Sequence, residues 1–170
     1  MATSEFEYFQ STWDREAEST VKLLRALPTT QYDFRPDPTG RSLGELGWHL
    51  AEGDAYMSAG LAAGQFAMDV KPPNIERPRT IEALAPGYEL IHREAVARIR
   101  HLAGEDLDRT VPFFGGPVSI RDILWQMIIA HGVHHRGQLV LMCRLAGGQA
   151  PGLYGPNREE MAAMRAGAGA

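Results

Sequence analysis

Cysteine is almost absent from this sequence, because Cys143 is the single one among 170 residues. One thiol cannot form an internal disulfide framework, so we expect a protein of the reducing cytoplasm, with Cys143 buried as a small apolar residue. No apolar run reaches the about 18 residues that a membrane span requires. The opening MATSEFEYFQ carries acids and has no apolar centre, unlike a signal peptide. We therefore expect no membrane partner.

An excess of positive charge is also missing. The chain has 17 Lys and Arg against 21 Asp and Glu, a formal net charge of −4. A general nucleic-acid binder carries a basic face, so we expect no nucleic-acid partner. The 44% hydrophobic and 22% charged residues are ordinary for a globular protein. We predict one domain over 1–170, with its core in 4–148 and a short tail in 149–170.

Apolar residues recur at steps of three and four in four long segments, which predicts four helices. The predicted helices lie near 4–27, 42–64, 80–103 and 119–146. Ser42 and Glu45 have the spacing of a capping box at the start of the second helix. In the third, Pro86 and Gly87 leave two alternatives: 80–85 forms a separate turn, or the helix is kinked.

Proline and glycine mark the connections between these helices, which we place at 28–41, 65–79 and 104–118. The last of them is predicted to contain two short extended pieces around Gly115 and Gly116. A short helix is predicted in REEMAAMRA of the tail. Four amphipathic helices without a clear strand ladder predict an all-α protein, a four-helix bundle.

The segment IIAHGVHHRGQLVLM, which runs from Ile128 to Met142, carries three histidines on a predicted core helix. His131 and His135 are four residues apart and share a face, the spacing by which two imidazoles of one helix bind one metal ion. His134 lies about 100° around the helix, so we expect it beside the site. The alternative is that each buried histidine hydrogen-bonds to a carbonyl or a carboxylate.

His49 favours the metal hypothesis, because it lies on the inner face of the second helix with Leu46 and Tyr56. Leaving a buried polar group unpaired costs about 1–3 kcal/mol, and one shared cation would satisfy all three rings. Three protein ligands also leave a coordination position open, as in catalytic metal sites. His92 and His101 lie among arginines on the third helix, and we expect both to be solvated.

Glycines interrupt the helices that carry these histidines. Gly132 and Gly137 each cost about 0.8–1 kcal/mol relative to alanine inside a helix. The second helix adds Gly44, Gly47, Gly53 and Gly60. We interpret them as places where the second and fourth helices approach closely. The alternative is a glycine-rich composition, since the chain has 18 glycines.

Four polar side chains accompany the histidines. Our candidate catalytic residues are Arg136 and Gln138. Arg136 could bind a substrate carboxylate or form a structural salt bridge. Gln138 could hydrogen-bond a metal-bound water or tie two helices together. Glu45 and Glu52 flank His49 by four and three positions, so either could orient that ring, although solvation is the default for a glutamate.

The segments SLGELGWHLAEGD and SIRDILWQMIIAHGVHHRGQLV resemble the DinB-like (DinB/YfiT) superfamily of metal-dependent enzymes. Helix order and loop positions agree with this resemblance over about 4–148. It implies an up-down-down-up four-helix bundle, often a homodimer. It also implies a metal triad at His49, His131 and His135, with His134 as a neighbour and not a ligand.

The resemblance implies a class of reaction as well. Characterised members of the superfamily include thiol transferases that use bacillithiol, a mycothiol-dependent isomerase and the iron-binding domain of sulfoxide synthases. We therefore expect a transferase in which a divalent zinc, nickel or iron ion activates a low-molecular-weight thiol toward a small electrophilic substrate. Metal-dependent hydrolysis and a non-catalytic, stress-related metal-binding bundle are the alternatives.

Overall fold

The structure is a computed structural model that describes residues 3–67 and 71–167, and 60% of the chain is helical. The helices are α1 (Glu5–Arg25), α2 (Leu43–Ala63), α3 (Leu84–Ile99), α4 (residues 120–145) and α5 (Arg158–Gly167). The first four begin and end within four residues of the predicted bounds. The short helix predicted in the tail is confirmed as α5.

Capping boxes fix the starts of α1 and α2. The Ser4 hydroxyl accepts a hydrogen bond from the backbone N–H of Glu7, whose carboxylate accepts one from the backbone N–H of Ser4. Ser42 and Glu45 make the same reciprocal pair at α2, as the sequence predicts. Each box satisfies N–H groups that the first turn of a helix leaves without partners.

The position at which α3 begins decides between the two alternatives for Pro86 and Gly87. Residues 79–83 form bends and a turn, and α3 starts at Leu84. Pro86 therefore lies in the first turn, where an N–H would have no partner within the helix. Gly87 donates its N–H to the Ala83 carbonyl at 3.2 Å. The alternative of a separate turn over 80–85 is therefore confirmed for residues 80–83, whereas Leu84 and Ala85 belong to the helix.

The helix α4 is continuous but not uniform. A first α-helical turn, Ile120–Asp122, is followed by a π-helical section, Ile123–Ala130, and by a second α-helical section, His131–Leu145. The apolar pattern predicts an ordinary α-helix throughout, so the π-helical section corrects that prediction. Its hydrogen bonds span five residues, which widens each turn. Regular α-helical geometry resumes at His131.

The connection 104–118 leads through a β-hairpin into α4. Its strands, β1 (Thr110–Phe113) and β2 (Gly116–Ser119), pair antiparallel and form a two-stranded sheet. The extended pieces predicted around Gly115 and Gly116 are thereby confirmed. The all-α class is corrected to a mostly helical fold with a small sheet. The tight turn that joins the strands consists of Phe114 and Gly115, both of which have positive φ.

Contacts at both ends define the relative direction of α1 and α4. Glu5 pairs with Arg121 at the start of α4, 3.0 Å apart, and the Ala26 carbonyl accepts a hydrogen bond from the Cys143 thiol near its end. These two helices therefore run parallel. Cys143 is fully buried, as predicted. Among the helices of the described residues, none has the length and apolar character needed to cross a membrane.

Helix α2 packs against α3 on one side and α4 on the other, and it meets α1 across the core. Gly47, near its start, contacts both Leu24 near the end of α1 and Leu84 at the start of α3. Towards its end, the Ser58 hydroxyl accepts a hydrogen bond from Arg98 of α3 at 3.2 Å. It follows that α2 and α3 run parallel to each other and opposite to α1.

A buried polar network crosses the core between these three helices. The Asp54 carboxylate accepts hydrogen bonds of 3.1 Å from Trp13, Tyr88 and His92. The other ring nitrogen of His92 lies 3.1 Å from Asp14. His92 is only 9% exposed, so the expectation that it is solvated is wrong. The arginines beside it in sequence lie on other faces of α3, so they do not predict whether the face that His92 occupies is exposed.

The glycines of α2 and α4 differ in their surroundings. A Cβ at Gly60 would overlap the Phe66 ring, so this glycine makes room for a loop side chain and not, as the interpretation had it, for the fourth helix. Within the described residues, nothing lies within 4 Å of a Cβ added at Gly132 or Gly137. Close helix packing is therefore the wrong explanation for these two positions.

We predict that His92 makes the stability of the protein depend on pH. Burial acts to lower the pKa of His92, but hydrogen bonds and charges from Asp54 and Asp14 outweigh it and raise this pKa. A raised folded-state pKa gives stability that is complete below the ordinary value of about 6.5 and is lost as the pH rises through the raised value. Relative to His92→Gln, the wild-type free energy of unfolding should fall from about pH 6.5 upward.

Urea unfolding of both proteins between about pH 6 and pH 9 measures this difference. The exposed His101 provides the control, because His101→Gln should show no such trend. A difference between wild type and His92→Gln that stays constant over this range would contradict the prediction.

Candidate metal centre

His49, His131 and His135 come together where α2 meets α4. Each offers one ring nitrogen such that these atoms lie within 4.8 Å of one another, and each residue is partly buried. The Nε2 atoms of His131 and His135 are 3.0 Å apart. These are the three rings that the sequence analysis selected, and together they could hold a divalent metal ion.

Local structure explains why the rings converge. His131 begins the second α-helical section of α4, so His135 follows one turn later on the same face. On α2, Gly53 follows His49 by one turn, and a Cβ added there would lie 3.8 Å from Nδ1 of His131. This distance is ordinary van der Waals contact, so an alanine would also fit there. The approach of α2 to α4 at this point therefore does not require the glycine.

The rings of His49 and His135 are each held through Nδ1. Nδ1 of His49 lies 3.0 Å from Oε2 of Glu52, and Nδ1 of His135 lies 2.7 Å from Oε1 of Gln138. Carboxylate and amide oxygens accept hydrogen bonds, so Nδ1 carries the hydrogen in both rings. Nε2 is then left with a free lone pair, which is the state that binds a metal.

The two glutamates near His49 have different roles. Glu52 contacts the ring and is itself held by Arg77 at 2.7 Å. Although burial acts to raise the pKa of Glu52, hydrogen bonds from His49 and Arg77 lower it, so the carboxylate stays ionised. Glu45 instead completes the capping box and accepts a hydrogen bond from Arg35 at 2.7 Å. Of the two candidates, Glu52 is therefore the one that orients His49.

The donor set fits a divalent ion in charge and in spacing. Burial and the neighbouring rings of His135 and His49 lower the pKa of His131 to about 4, and burial lowers the pKa of His135. Both rings are neutral at pH 7, as ligation requires. Tetrahedral ligands at about 2.0–2.1 Å from zinc lie about 3.3 Å apart. The 3.0 Å between the two Nε2 atoms is close to this spacing.

Ordinary hydrogen bonding explains this cluster only in part. Glu52 and Gln138 satisfy one nitrogen each of His49 and His135. His131, however, finds neither a carboxylate nor a carbonyl among the described residues, and its hydrogen-bond partner there is another imidazole. A shared cation would satisfy all three rings at once, which supports the metal hypothesis over the alternative.

Three further predicted residues lie outside the cluster or at its edge. His134 is exposed and outside the group, although its ring centroid is 5.0 Å from that of His135. Gln138 orients His135, which is neither of the two roles that the sequence suggested. Arg136 is 2% exposed and donates hydrogen bonds to Glu16 and Thr20 of α1.

The surroundings of Arg136 correct its assignment as a candidate catalytic residue. Its guanidinium forms an ion pair with the Glu16 carboxylate and contacts the Tyr154 hydroxyl. The side chain therefore links α4 to α1 and to the tail, which is the salt-bridge alternative. Among the described residues only Nε of this guanidinium lacks a hydrogen-bond partner, and that atom is buried, so a substrate carboxylate has no open edge to approach.

Sequence reasoning missed Arg77, which holds Glu52 from the connection between α2 and α3. The signal available was weak: an arginine in the proline-broken stretch ERPR has no periodicity that relates it to α2. Its contact becomes visible only when the connection folds back over that helix.

Comparison with known proteins identifies the family. A sequence model of the DinB superfamily matches residues 12–139, which include all three clustered histidines. The chain therefore belongs to the DinB superfamily, as the resemblance in the sequence predicted.

Relatives agree with this assignment over almost the whole chain. The protein YrdA of Bacillus subtilis (strain 168), described as uncharacterized, is 28% identical over 164 residues, covering 92% of each chain. The solved structure of a DinB-like protein from Bacillus cereus ATCC 10987 has a TM-score of 0.73 and 28% identity, covering 91% of this chain and 100% of that one. The DinB-like protein YjoA of Bacillus subtilis, with a TM-score of 0.69, 22% identity and coverage of 89% and 99%, is similar in fold.

We predict that Gln138 strengthens metal binding without being a ligand. Gln138→Ala removes the hydrogen bond that fixes the His135 ring, and losing such support costs about 10–100-fold in metal affinity. Calorimetric titration with zinc measures the change. Gln126→Ala, at another exposed glutamine of α4, is the matched control and should bind as wild type does. Equal affinities in the two variants would contradict the prediction.

Proposed function

We propose that this protein is a metal-dependent enzyme whose ligands are His49, His131 and His135. The observation that carries the proposal is that three ring nitrogens converge while Glu52 and Gln138 hold two of the rings from behind. Three protein ligands leave one position of a tetrahedral ion open, which is typical of catalytic sites and not of structural ones. This favours an enzyme over a non-catalytic, stress-related bundle. Zinc, nickel and iron suit such a site.

We infer further that the enzyme is a transferase that uses a low-molecular-weight thiol. A divalent ion acidifies a thiol that binds to it, which makes the thiolate available at neutral pH. The reaction joins the thiol sulfur to an electrophilic carbon, while the leaving group departs and the thiol proton passes to solvent. The thiol of Cys143 is buried and its pKa is raised by that burial, so the chain offers no competing nucleophile there. The thiol-using relatives in this superfamily support the same inference.

The metal ligands are tested by single substitutions. Alanine at His49, His131 or His135 removes one ligand of three and should weaken zinc binding by more than about 100-fold, beyond the usual effect of a supporting residue. His134→Ala is the matched control, because this ring lies outside the cluster, and it should keep the metal. Calorimetric titration and elemental analysis give the readout. Loss of metal from His134→Ala with retention in His131→Ala would overturn the ligand assignment.

The reaction class is tested with a panel of small electrophiles, each supplied with and without low-molecular-weight thiols. We expect turnover only when the loaded metal and a thiol are both present, with the thioether as product. Turnover that needs the metal and water alone would identify a hydrolase instead. A protein that unfolds on metal removal and turns over nothing would point to a structural metal.

We also propose that α1 to α4 form the up-down-down-up bundle that the family resemblance implies. Three directions support it: α1 and α4 run parallel, α2 and α3 run parallel, and the second pair runs opposite to the first. A cytoplasmic location, expected from the sequence, stays a prediction.

We propose a homodimer as the assembled form. Leu141 and Leu145 share the outer face of α4 and are 60% and 56% exposed, which makes that face a candidate contact surface. We expect light scattering at micromolar concentration to report a dimer, and Leu141→Glu to shift it towards monomer. Glu at the exposed Ala62 of α2 is the control. A monomer in the wild type would refute the proposal.

A further inference from the structure

A cavity of about 410 Å³ lies against the metal centre and extends along α2. This volume falls within the about 300–1,000 Å³ of small-molecule sites. His49 lines it where it meets the cluster, and Tyr56 and Ala59 continue the same wall about two and three turns further along α2. Phe66 and Phe114 also line it, from the connection after α2 and from the β-hairpin.

Three aromatic rings packed one against the next form the second wall of the cavity. Gly60 has no side chain, and the Phe66 ring occupies the space that a Cβ would need. The Phe113 ring packs edge-on against Phe66 at a centroid distance of 4.8 Å, and Phe114 packs against Phe113 at 4.6 Å. The hairpin is thus attached to α2 through Phe66, and the cavity has a defined apolar side.

The charges around the cavity indicate what it accepts. Within the part of the chain that the structure describes, no lysine or arginine lines it. Its one acidic lining residue, Glu52, is already engaged by His49 and Arg77. Away from the histidine cluster, an anionic group would therefore lose its hydration without gaining a counter-charge, which is unfavourable. A neutral apolar molecule meets no such penalty.

The backbone at Phe114 gives an independent indication. Its φ is 33°, and that of the following Gly115 is 134°. A bulky residue in the left-handed region is an outlier, and a turn with two positive φ values favours Asn-Gly. The chain thus keeps a 63% exposed phenylalanine at a position that is unfavourable for it. Such local strain is often kept where a side chain has a functional role.

We propose that this cavity binds the apolar body of a neutral small-molecule substrate, with the reactive end at His49 and Phe114 packed against the body. That the bound molecule is a substrate rests on the proposed function. That the cavity binds a neutral apolar molecule does not depend on it. The cavity is therefore tested by ligand binding, with the protein both metal-free and zinc-loaded.

The first test fills the cavity. Ala59→Phe places a ring in it, and titration with the neutral naphthalene fluorophore prodan should show about tenfold or greater loss of affinity. Ala62→Phe is the matched control, because this exposed alanine of the same helix does not line the cavity. Metal-free wild type should bind prodan better than its anionic counterpart anilinonaphthalene sulfonate. Equal prodan binding by the two variants, or preference for the anion, would overturn the proposal.

The second test does not depend on whether Ala59→Phe folds. Phe114→Asn removes the ring but gives the turn its preferred residues, so the melting temperature should be unchanged or higher while prodan affinity falls about tenfold. Unchanged affinity would count against the proposal.

The two proposals fail in different ways. Zinc binding by Ala59→Phe at wild-type affinity, together with lost prodan binding, supports the cavity as a separate element of the site. If the protein binds prodan through Phe114 but never binds metal, the cavity proposal stands and the metal-dependent function is overturned. If it binds metal but no prodan, the metal-dependent function stands and the cavity proposal is overturned.

Discussion

The packing of α2 between α3 and α4, with side-chain contacts to α1 across the core, is the constraint on which the site depends. Gly47 and Asp54 of α2 contact residues of α1 and α3, while His49 and Gly53 face α4. A helix enclosed in this way cannot rotate without breaking buried contacts on several sides, because protein interiors are close-packed. The position of His49 relative to the rings of α4 is therefore set by core contacts elsewhere along α2. A site carried by helices fixed in this manner is held more precisely than one on loops.

Two histidines show how the environment separates a structural role from a metal-binding one. His92 lies between two carboxylates, which raise its pKa and tie α3 to α1 and α2. His131 faces other imidazoles and is partly buried, and its pKa falls to about 4. The first ring is stabilised as a cation and serves as a partner in the core. The second is kept neutral with a lone pair to offer, which suits a ligand.

Periodicity predicted the helices well because an apolar face repeats every three to four residues whatever it packs against. It also predicted that His131 and His135 share a face, since their spacing lies within one helix. It failed where the answer depends on contacts between distant segments. The burial of His92 follows from Asp54 on another helix, and the engagement of Arg136 follows from Glu16 on α1. The π-helical section was not predicted because eight residues are too few to reveal a change in the period of the apolar pattern.

Several departures from local rules border the metal centre and the cavity beside it. Three rings meet there without carboxylate partners for all of them, glycines replace good helix formers at Gly53 and Gly60, and Phe114 holds a left-handed backbone. Each departure costs stability on its own, and each borders the metal centre or the cavity beside it. Asn74, the other described non-glycine residue with positive φ, is of a type that tolerates this conformation. Natural proteins break local rules mainly at functional sites, so the departures beside the histidine cluster support a functional role for this region.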